Sequence, residues 1–396
     1  MRIESQRYTE RFGAVHISDV QKVLELDAGK KSYPRRKNDL AVHKIEDYMV
    51  QAIEEKMAVV IPIKDEKLKL FEGVISGVPH DCLIIVVSAS KRGRVDRFKL
   101  ERDTLAQFCH FTQRQAIIIH QKDPNIAKGL AAAGYTDILD GRKTVRSGKS
   151  EGMIIGILMA MLHHKDYVAF IDSDNYIPGS VWEYCKIYAA GFSLATSPYA
   201  MVRILWHYKP KMMGEVFFKK WGRVSKVTNH NMNTLISTKT GFETDIIKTA
   251  NAGEHAMTMK LAEILPYATG FAVEPGELIS LFEGFGGILP SADPAASKQG
   301  VEVFQIETKN PHFHEEKGGR HLNNMLVPGQ AVIYHSQLCD KQLKEQIYAG
   351  LINQGAITPG DELAKPNVTP PLRQADLPRF ISYMKRHMPS YSVLES

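Results

Sequence analysis

An α/β fold built on a mostly parallel sheet, with helices on both faces, is predicted by three features of this sequence. Short apolar runs of strand length recur at Met57 (MAVVIPI), Cys82 (CLIIVVSAS), Ala116 (AIIIH) and Tyr167 (YVAFID), and such runs bounded by turn residues read as buried strands. Stretches with helical spacing lie between them, so the rhythm strand, helix, strand implies right-handed crossovers to parallel neighbours. At 396 residues the chain is long enough for one large domain with additions, or for two.

The elements follow in order. After the first run, which Pro62 interrupts, LKLFEGVISG reads as a short helix stopped by Gly77. From Val95, VDRFKLERDTLAQFCHF places Val95, Phe98, Leu105, Phe108 and Cys109 on one helical face. NIAKGLAAAG is a helix ending in Gly134, and SEGMIIGILMAMLHH is a helix apolar on most of its surface, as expected of one packed inside the protein. DAGKKSYPRRKNDL is a basic, proline-interrupted loop that sets off an amino-terminal segment expected to add a strand or arm. EGFGGILPSADPAASKQG from Glu283 reads as an exposed connection, and PGDELAKPNVTPPLRQADLP as an extended proline-rich stretch before a last short helix. The expected division is 1–54, 55–260 and 261–396.

Composition narrows the class. Fifty Lys+Arg against forty-four Asp+Glu leave a net charge of +6, with the signs interspersed; this suits solubility and a bias toward anionic substrates. A non-enzymatic RNA-binding role rests on the KKSYPRRK run alone, and such a run is usually a solvated loop. No nucleic-acid partner is expected. Cys82, Cys109, Cys185 and Cys339 are far apart with no C-x-x-C, which indicates neither a zinc ribbon nor a disulfide framework. The segment MRIESQRYTERFG has no apolar signal core, and no stretch approaches the ~20 apolar residues of a membrane span. A cytoplasmic protein with no membrane partner is the expectation.

The chemistry centres on FIDSDNYIP. A buried strand brings Asp172 to the carboxyl edge of the sheet, where ligands of α/β proteins bind, and Asp174 follows two residues later. Adjacent carboxylates suit a hard divalent cation, Mg²⁺ first and Mn²⁺ or another divalent ion second, that also holds a substrate phosphate. An isolated D-x-D is more often a turn, so context decides. The other strands end in PIKDE, SAS and HQKDP, and four polar clusters at successive carboxyl edges are harder to dismiss than one. A P-loop fails on spacing, because six residues separate Gly141 from Gly148 where four are needed for the amides to cradle a phosphate. No G-x-G-x-x-G follows a strand, which counts against a dinucleotide oxidoreductase. A nucleotidyltransferase would open with a glycine- and arginine-rich phosphate loop that IPIKDEKLKL lacks. Sugar transfer from a nucleotide sugar fits best, since a departing diphosphate needs a carboxylate-held metal and a lysine to neutralise its charge; a nucleotidyltransferase, a P-loop-like NTPase and a non-enzymatic RNA binder stay as the alternatives.

VVIPIKDE, HQKDP, RSGKSEGM, FIDSDNYIPG, MVRILWHYKPK, NAGEHAMT and FQIETKNPHFHE together resemble the mannosyl-3-phosphoglycerate synthases. The resemblance runs from RFGAVHISDVQKVLELD to AVIYHS. It implies a GT-A type glycosyltransferase that moves mannose from GDP-mannose to the 2-hydroxyl of 3-phosphoglycerate with retention, giving the phosphorylated precursor of the compatible solute mannosylglycerate. On it, 55–260 is the nucleotide-sugar-binding unit and 261–396 the acceptor side with a carboxyl-terminal region. Asp174 is implied as the direct metal ligand, with Asp172 on the ribose or on the metal through water. His312 and His314 offer a further metal ligand, Lys149 a contact to the β-phosphate, and Pro62, Lys64, Glu66, Ser88, Gln121 and Lys122 the guanosine pocket. Glu66 suits guanine, whose two neighbouring donors one carboxylate can meet. Arg203, His207 and Lys209, on an expected strand, would grip the anionic acceptor. Asn251 or Gly253 would precede a helix whose amides face the same anion, with Glu254 contacting a hydroxyl or the sugar. The sequence leaves a homodimer open.

Overall fold

In the computed structural model, residues 1–26, 41–175, 177–206, 209–213, 215–219, 223–312, 318–387 and 392–394 are described. The basic loop expected at 27–40 lies outside them. The central sheet runs, in spatial order, Ser392–Leu394, Ala116–His120, Leu83–Ser88, Met57–Ile63, Tyr167–Phe170, His255–Thr258, Ala200–Leu205, Val301–Glu307, Val15–Glu25, Arg2–Glu4 and Val42–Lys44. The four runs expected as strands lie side by side and parallel, as right-handed crossovers require. Val301–Glu307 is parallel to both of its neighbours, one of them Val15–Glu25. A single sheet therefore draws on all three stretches, 1–54, 55–260 and 261–396.

Burial on both faces explains why these strands are nearly continuous in apolar residues. Within Met57–Ile63, Ala58 and Val60 enter one core cluster with the helix Lys149–Leu162. Met57, Val59, Ile61 and Ile63 enter the opposite cluster with the helix Pro178–Leu194, as the two-residue period of a strand dictates. Gly156 lets the first of these helices lie close on the sheet: a Cβ there would stand 2.3 Å from Val60 Cγ1. That close approach fixes the height at which Lys149 emerges.

The helices expected from LKLFEGVISG and NIAKGLAAAG are present as Leu68–Gly77 and Pro124–Ala132. Arg97–Thr112 buries Leu105 and Cys109 and packs Phe98 and Phe108 against them, whereas Val95 is 63% exposed. The Asp96 carboxylate caps the helix by accepting from the Lys99 amide, so Val95 falls outside the first turn. A second expectation fails more instructively. The residues after Asn251 and Gly253 form not a helix but the strand His255–Thr258, antiparallel to Tyr167–Phe170 on one side and Ala200–Leu205 on the other. With both ladders satisfied, its four buried residues gain more as a central strand than as a helical turn. All four cysteines are buried free thiols, and among the described residues no helix is long and apolar enough to cross a membrane.

Candidate active site

Because His255–Thr258 runs against its neighbours, it enters the sheet at the edge where the parallel strands leave it. His255 pairs with Phe170 and with Arg203, which places Asn251–Glu254 beside the D-x-D. At that edge Lys149, the first residue of its helix, extends its ammonium 2.6 Å from Asp172 Oδ1 and 2.8 Å from Glu274 Oε1. Burial opposes the charge on Lys149, but Asp172 and then Glu274 outweigh it, and the lysine pKa stands above its ordinary value. Gly253 closes the group, since a Cβ there would meet Asp172 Oδ2 at 2.7 Å and Lys149 Nζ at 3.1 Å. Gly253→Ala is therefore expected to push this ion pair out of place and to lower activity about 10²-fold, the scale of a 1 Å misplacement. Steady-state rates measured beside a thermal melt check it: loss of rate with an unchanged melt is the expected pattern.

A second group surrounds His312. Its ring stacks on Trp206, centroids 4.3 Å apart, and its Nδ1 lies 3.4 Å from the Tyr184 hydroxyl and 3.7 Å from Glu254 Oε1. Asn175, next to Asp174, donates from Nδ2 to the same Tyr184 hydroxyl at 3.2 Å. Burial first, and the Glu254 charge second, raise the Tyr184 pKa well above that of a free phenol, so the hydroxyl stays neutral. Tyr184 thus joins the turn that carries Asp174 to the segment that carries His312. His314 lies outside the described residues, among which no three His, Cys, Asp or Glu side chains gather closely enough to hold a metal by themselves. Mg²⁺ usually keeps several waters and binds through one or two carboxylates plus substrate phosphates. Two half-buried aspartates fit such an ion chemically, and Tyr184 links the Asp174 turn to His312 through Asn175.

The loops that form the other strand ends are tied to one another. The Asp65 amide, at φ 56°, donates to Ser90 Oγ at 2.7 Å, and the Lys91 amide donates to Asp65 Oδ1 at 3.0 Å. Asp is one of the few side chains that tolerates that left-handed backbone. The Ser88 and Ser90 hydroxyls donate to Glu101 at 2.6 and 2.5 Å; burial raises the Glu101 pKa, and the serine hydrogen bonds oppose that shift. Pro62 and Glu66 are half-buried and Lys64 is exposed, while Arg97 holds the Glu66 carbonyl.

Four assignments need correction. Ser88 has no exposure and commits its hydroxyl to Glu101, so its side chain stands behind the pocket wall. Gln121 is 2% exposed and donates from Nε2 to the Arg146 and Gly148 carbonyls at 2.7 and 3.2 Å. It shapes the loop leading into Lys149 rather than facing a base. Lys122 helps, donating to the Val145 carbonyl and lying 3.7 Å from Asp140. Arg203 departs furthest from expectation. It is wholly buried; Nη1 meets Glu277 Oε2 at 3.0 Å, while Nε and Nη2 donate to the Thr249, Ala250 and Glu274 carbonyls. An arginine so enclosed cannot grip a soluble anion.

His207 lies outside the described residues, and Lys209 begins the hairpin strand Lys209–Met213, paired with Glu215–Lys219. Glu274, which sequence reasoning passed over, sits in the first turn of Val273–Phe285. Its only signal was the spacing of Glu274 and Glu277, three apart in the first two turns of a mostly apolar helix.

The sequence profile of the mannosyl-3-phosphoglycerate synthases matches residues 5–384. The chain belongs to that family. A mannosyl-3-phosphoglycerate synthase of Pyrococcus furiosus is 46% identical over 394 residues, covering 98% of each chain. One of Aeropyrum pernix is 36% identical over 384 residues, covering 96% of this chain and 97% of its own. Among solved structures, a glucosyl-3-phosphoglycerate synthase from Mycobacterium tuberculosis, in complex with Mn²⁺, UDP and phosphoglyceric acid, aligns with a TM-score of 0.47 at 17% identity. The alignment covers 76% of this chain and 86% of that one. The mannosyl-3-phosphoglycerate synthase family is thus shown by sequence over nearly the whole chain.

Proposed function

We propose that the chain transfers mannose from GDP-mannose to the 2-hydroxyl of 3-phosphoglycerate with retention at the anomeric carbon, releasing GDP. The product is the phosphorylated precursor of mannosylglycerate. The observation that carries this reading is the ammonium of Lys149, held at the sheet's carboxyl edge by Asp172 and Glu274 in a chain of this family. A fixed cation aimed at the departing diphosphate stabilises charge that develops only as the glycosidic bond breaks. Asp174 with His312 would hold a divalent cation, Mg²⁺ or Mn²⁺, and that ion would supply further Lewis-acid neutralisation of the diphosphate. Tyr184 orients the imidazole, and Asp172 holds Lys149 while facing the ribose. Glu254 and Asn251 serve the acceptor side: Asn251 Oδ1 is buried with no hydrogen-bond partner among the described residues, so a substrate hydroxyl can donate to it.

Pro62, Lys64 and Glu66 form the guanosine side of the pocket. Glu66→Ala is expected to raise the KM for GDP-mannose and to weaken the preference for GDP over UDP sugars. Unmet guanine donors cost about 1–3 kcal/mol each when buried, a loss of roughly tenfold or more in kcat/KM. Competition between GDP-mannose and UDP-glucose measures it; an unchanged preference removes Glu66 from the base pocket.

The reaction itself is tested by incubating the protein with GDP-mannose, 3-phosphoglycerate and Mg²⁺. Mass spectrometry identifies the product, and NMR gives its linkage and anomeric configuration. The expected result is GDP and mannosyl-3-phosphoglycerate in equal amounts, abolished by excess chelator. Turnover with another sugar nucleotide but not GDP-mannose overturns the donor assignment. Equal kcat/KM for glycerate and 3-phosphoglycerate overturns the acceptor assignment.

A further inference from the structure

The segment after the strand Val301–Glu307 is held by one face of a helix that contacts no substrate in the reading above. In Pro178–Leu194, Ser180, Glu183 and Tyr184 are spaced i, i+3 and i+4 and so share a face. Glu183 has no exposure. Its Oε1 accepts from the Lys309 amide at 2.6 Å, and its Oε2 accepts from the Asn310 amide at 2.9 Å and from Asn310 Nδ2 at 2.7 Å. One residue on, the Ser180 hydroxyl donates to the Pro311 carbonyl at 3.1 Å. One further, Tyr184 stands beside His312 Nδ1. Four consecutive residues, Lys309 to His312, are gripped in sequence.

A carboxylate is a costly way to fasten a turn, because burying its charge must be offset by hydrogen bonds to both oxygens. Its return is rigidity: two consecutive backbone amides and one side-chain amide converge on a single group and fix the direction in which the chain leaves the sheet. The same helix face reaches Asn175, beside Asp174, through Tyr184.

We infer that Glu183 is a positioning residue for the metal, fixing the Lys309–Asn310 turn so that His312 is set against the D-x-D turn. The inference rests on the proposed assignment of Asp174 and His312 as ligands. Groups that orient metal ligands from behind typically change metal affinity about 10–100-fold when altered, whereas a merely structural anchor changes stability alone.

The test is Mn²⁺ binding followed by electron paramagnetic resonance in the presence of GDP, without turnover. Wild type, Glu183→Gln and Asn310→Ala are compared, each with a thermal melt. Glu183→Gln keeps the shape but puts an amide donor among three donors, and it should weaken Mn²⁺ binding about 10–100-fold. Asn310→Ala removes one of the three hydrogen bonds, keeps the fold, and should weaken binding less, in the same direction. Metal-free GDP affinity should stay as in wild type for both. A lowered melting temperature with unchanged Mn²⁺ affinity in Asn310→Ala and in any folded Glu183→Gln overturns the inference. If wild type itself binds no Mn²⁺ in the presence of GDP, the metal assignment fails first, and the two failures are told apart.

Discussion

Lys149→Ala is expected to lower kcat by about 10²–10³, the loss seen when one preorganised charge-stabilising donor is removed. The ammonium is the cation that Asp172 and Glu274 enclose, at 2.6 and 2.8 Å. Without it the two carboxylates lose the ammonium that lies between them, and the departing diphosphate loses one of its stabilising cations. Lys149→Arg keeps the charge but replaces a compact ammonium with a planar fork, so only part of the rate should return. The pH dependence follows from the sign of the shift. A lysine whose folded pKa is raised contributes stability fully below its unfolded value, about 10.4, and loses it only as the pH rises through the higher folded value. Lys149 should therefore impose no titration on the rate near neutrality. Rates, GDP affinity and thermal melts on the same samples check this. A variant with wild-type kcat and weakened GDP binding would make Lys149 a ground-state contact only.

Arg203→Ala is expected to destabilise the protein by about 3–5 kcal/mol, the cost of removing one partner from a buried ion pair. Both Arg203 and Glu277 have no exposure, and His255 Nε2 lies 3.0 Å from Glu277 Oε1. Deleting the guanidinium leaves Glu277 in the core with His255 alone, and leaves the Thr249, Ala250 and Glu274 carbonyls without their donor. Burial lowers the Arg203 pKa, and Glu277 followed by Glu274 opposes that shift. Because the Glu274 carbonyl is one of these acceptors, the first turn that aims the Glu274 side chain at Lys149 should loosen as well. Denaturant unfolding and kinetics on the folded fraction measure the two effects. An Arg203→Ala protein of wild-type stability whose only defect is a raised KM for 3-phosphoglycerate would return Arg203 to the acceptor site.

How much of this was legible in the sequence depends on the range over which each feature is encoded. The parallel strands, their connecting helices and the emergence of Asp172 and Asp174 at the carboxyl edge are written in local periodicity, because burial on both faces demands unbroken apolar runs and turn residues mark their ends. The motifs that assign the family are likewise contiguous. What a side chain faces is decided elsewhere. MVRILWHYKPK offers Arg203 as a surface cation, and only the antiparallel strand His255–Thr258, with the helix Val273–Phe285 above it, encloses it. That inserted strand cannot be foreseen from alternation of strands and helices, since its neighbours in the sheet are distant in the chain and its four residues carry no periodicity of their own. Yet it brings Gly253 and Glu254 to the D-x-D. The partners of Lys149 and the grip of Glu183 on Lys309 and Asn310 belong to the same class. Ionic and polar pairing is set by which distant elements the packing brings within about 3 Å, so the sequence determined the family, the strands and the acidic edge, and the tertiary structure alone decided which charge answers which.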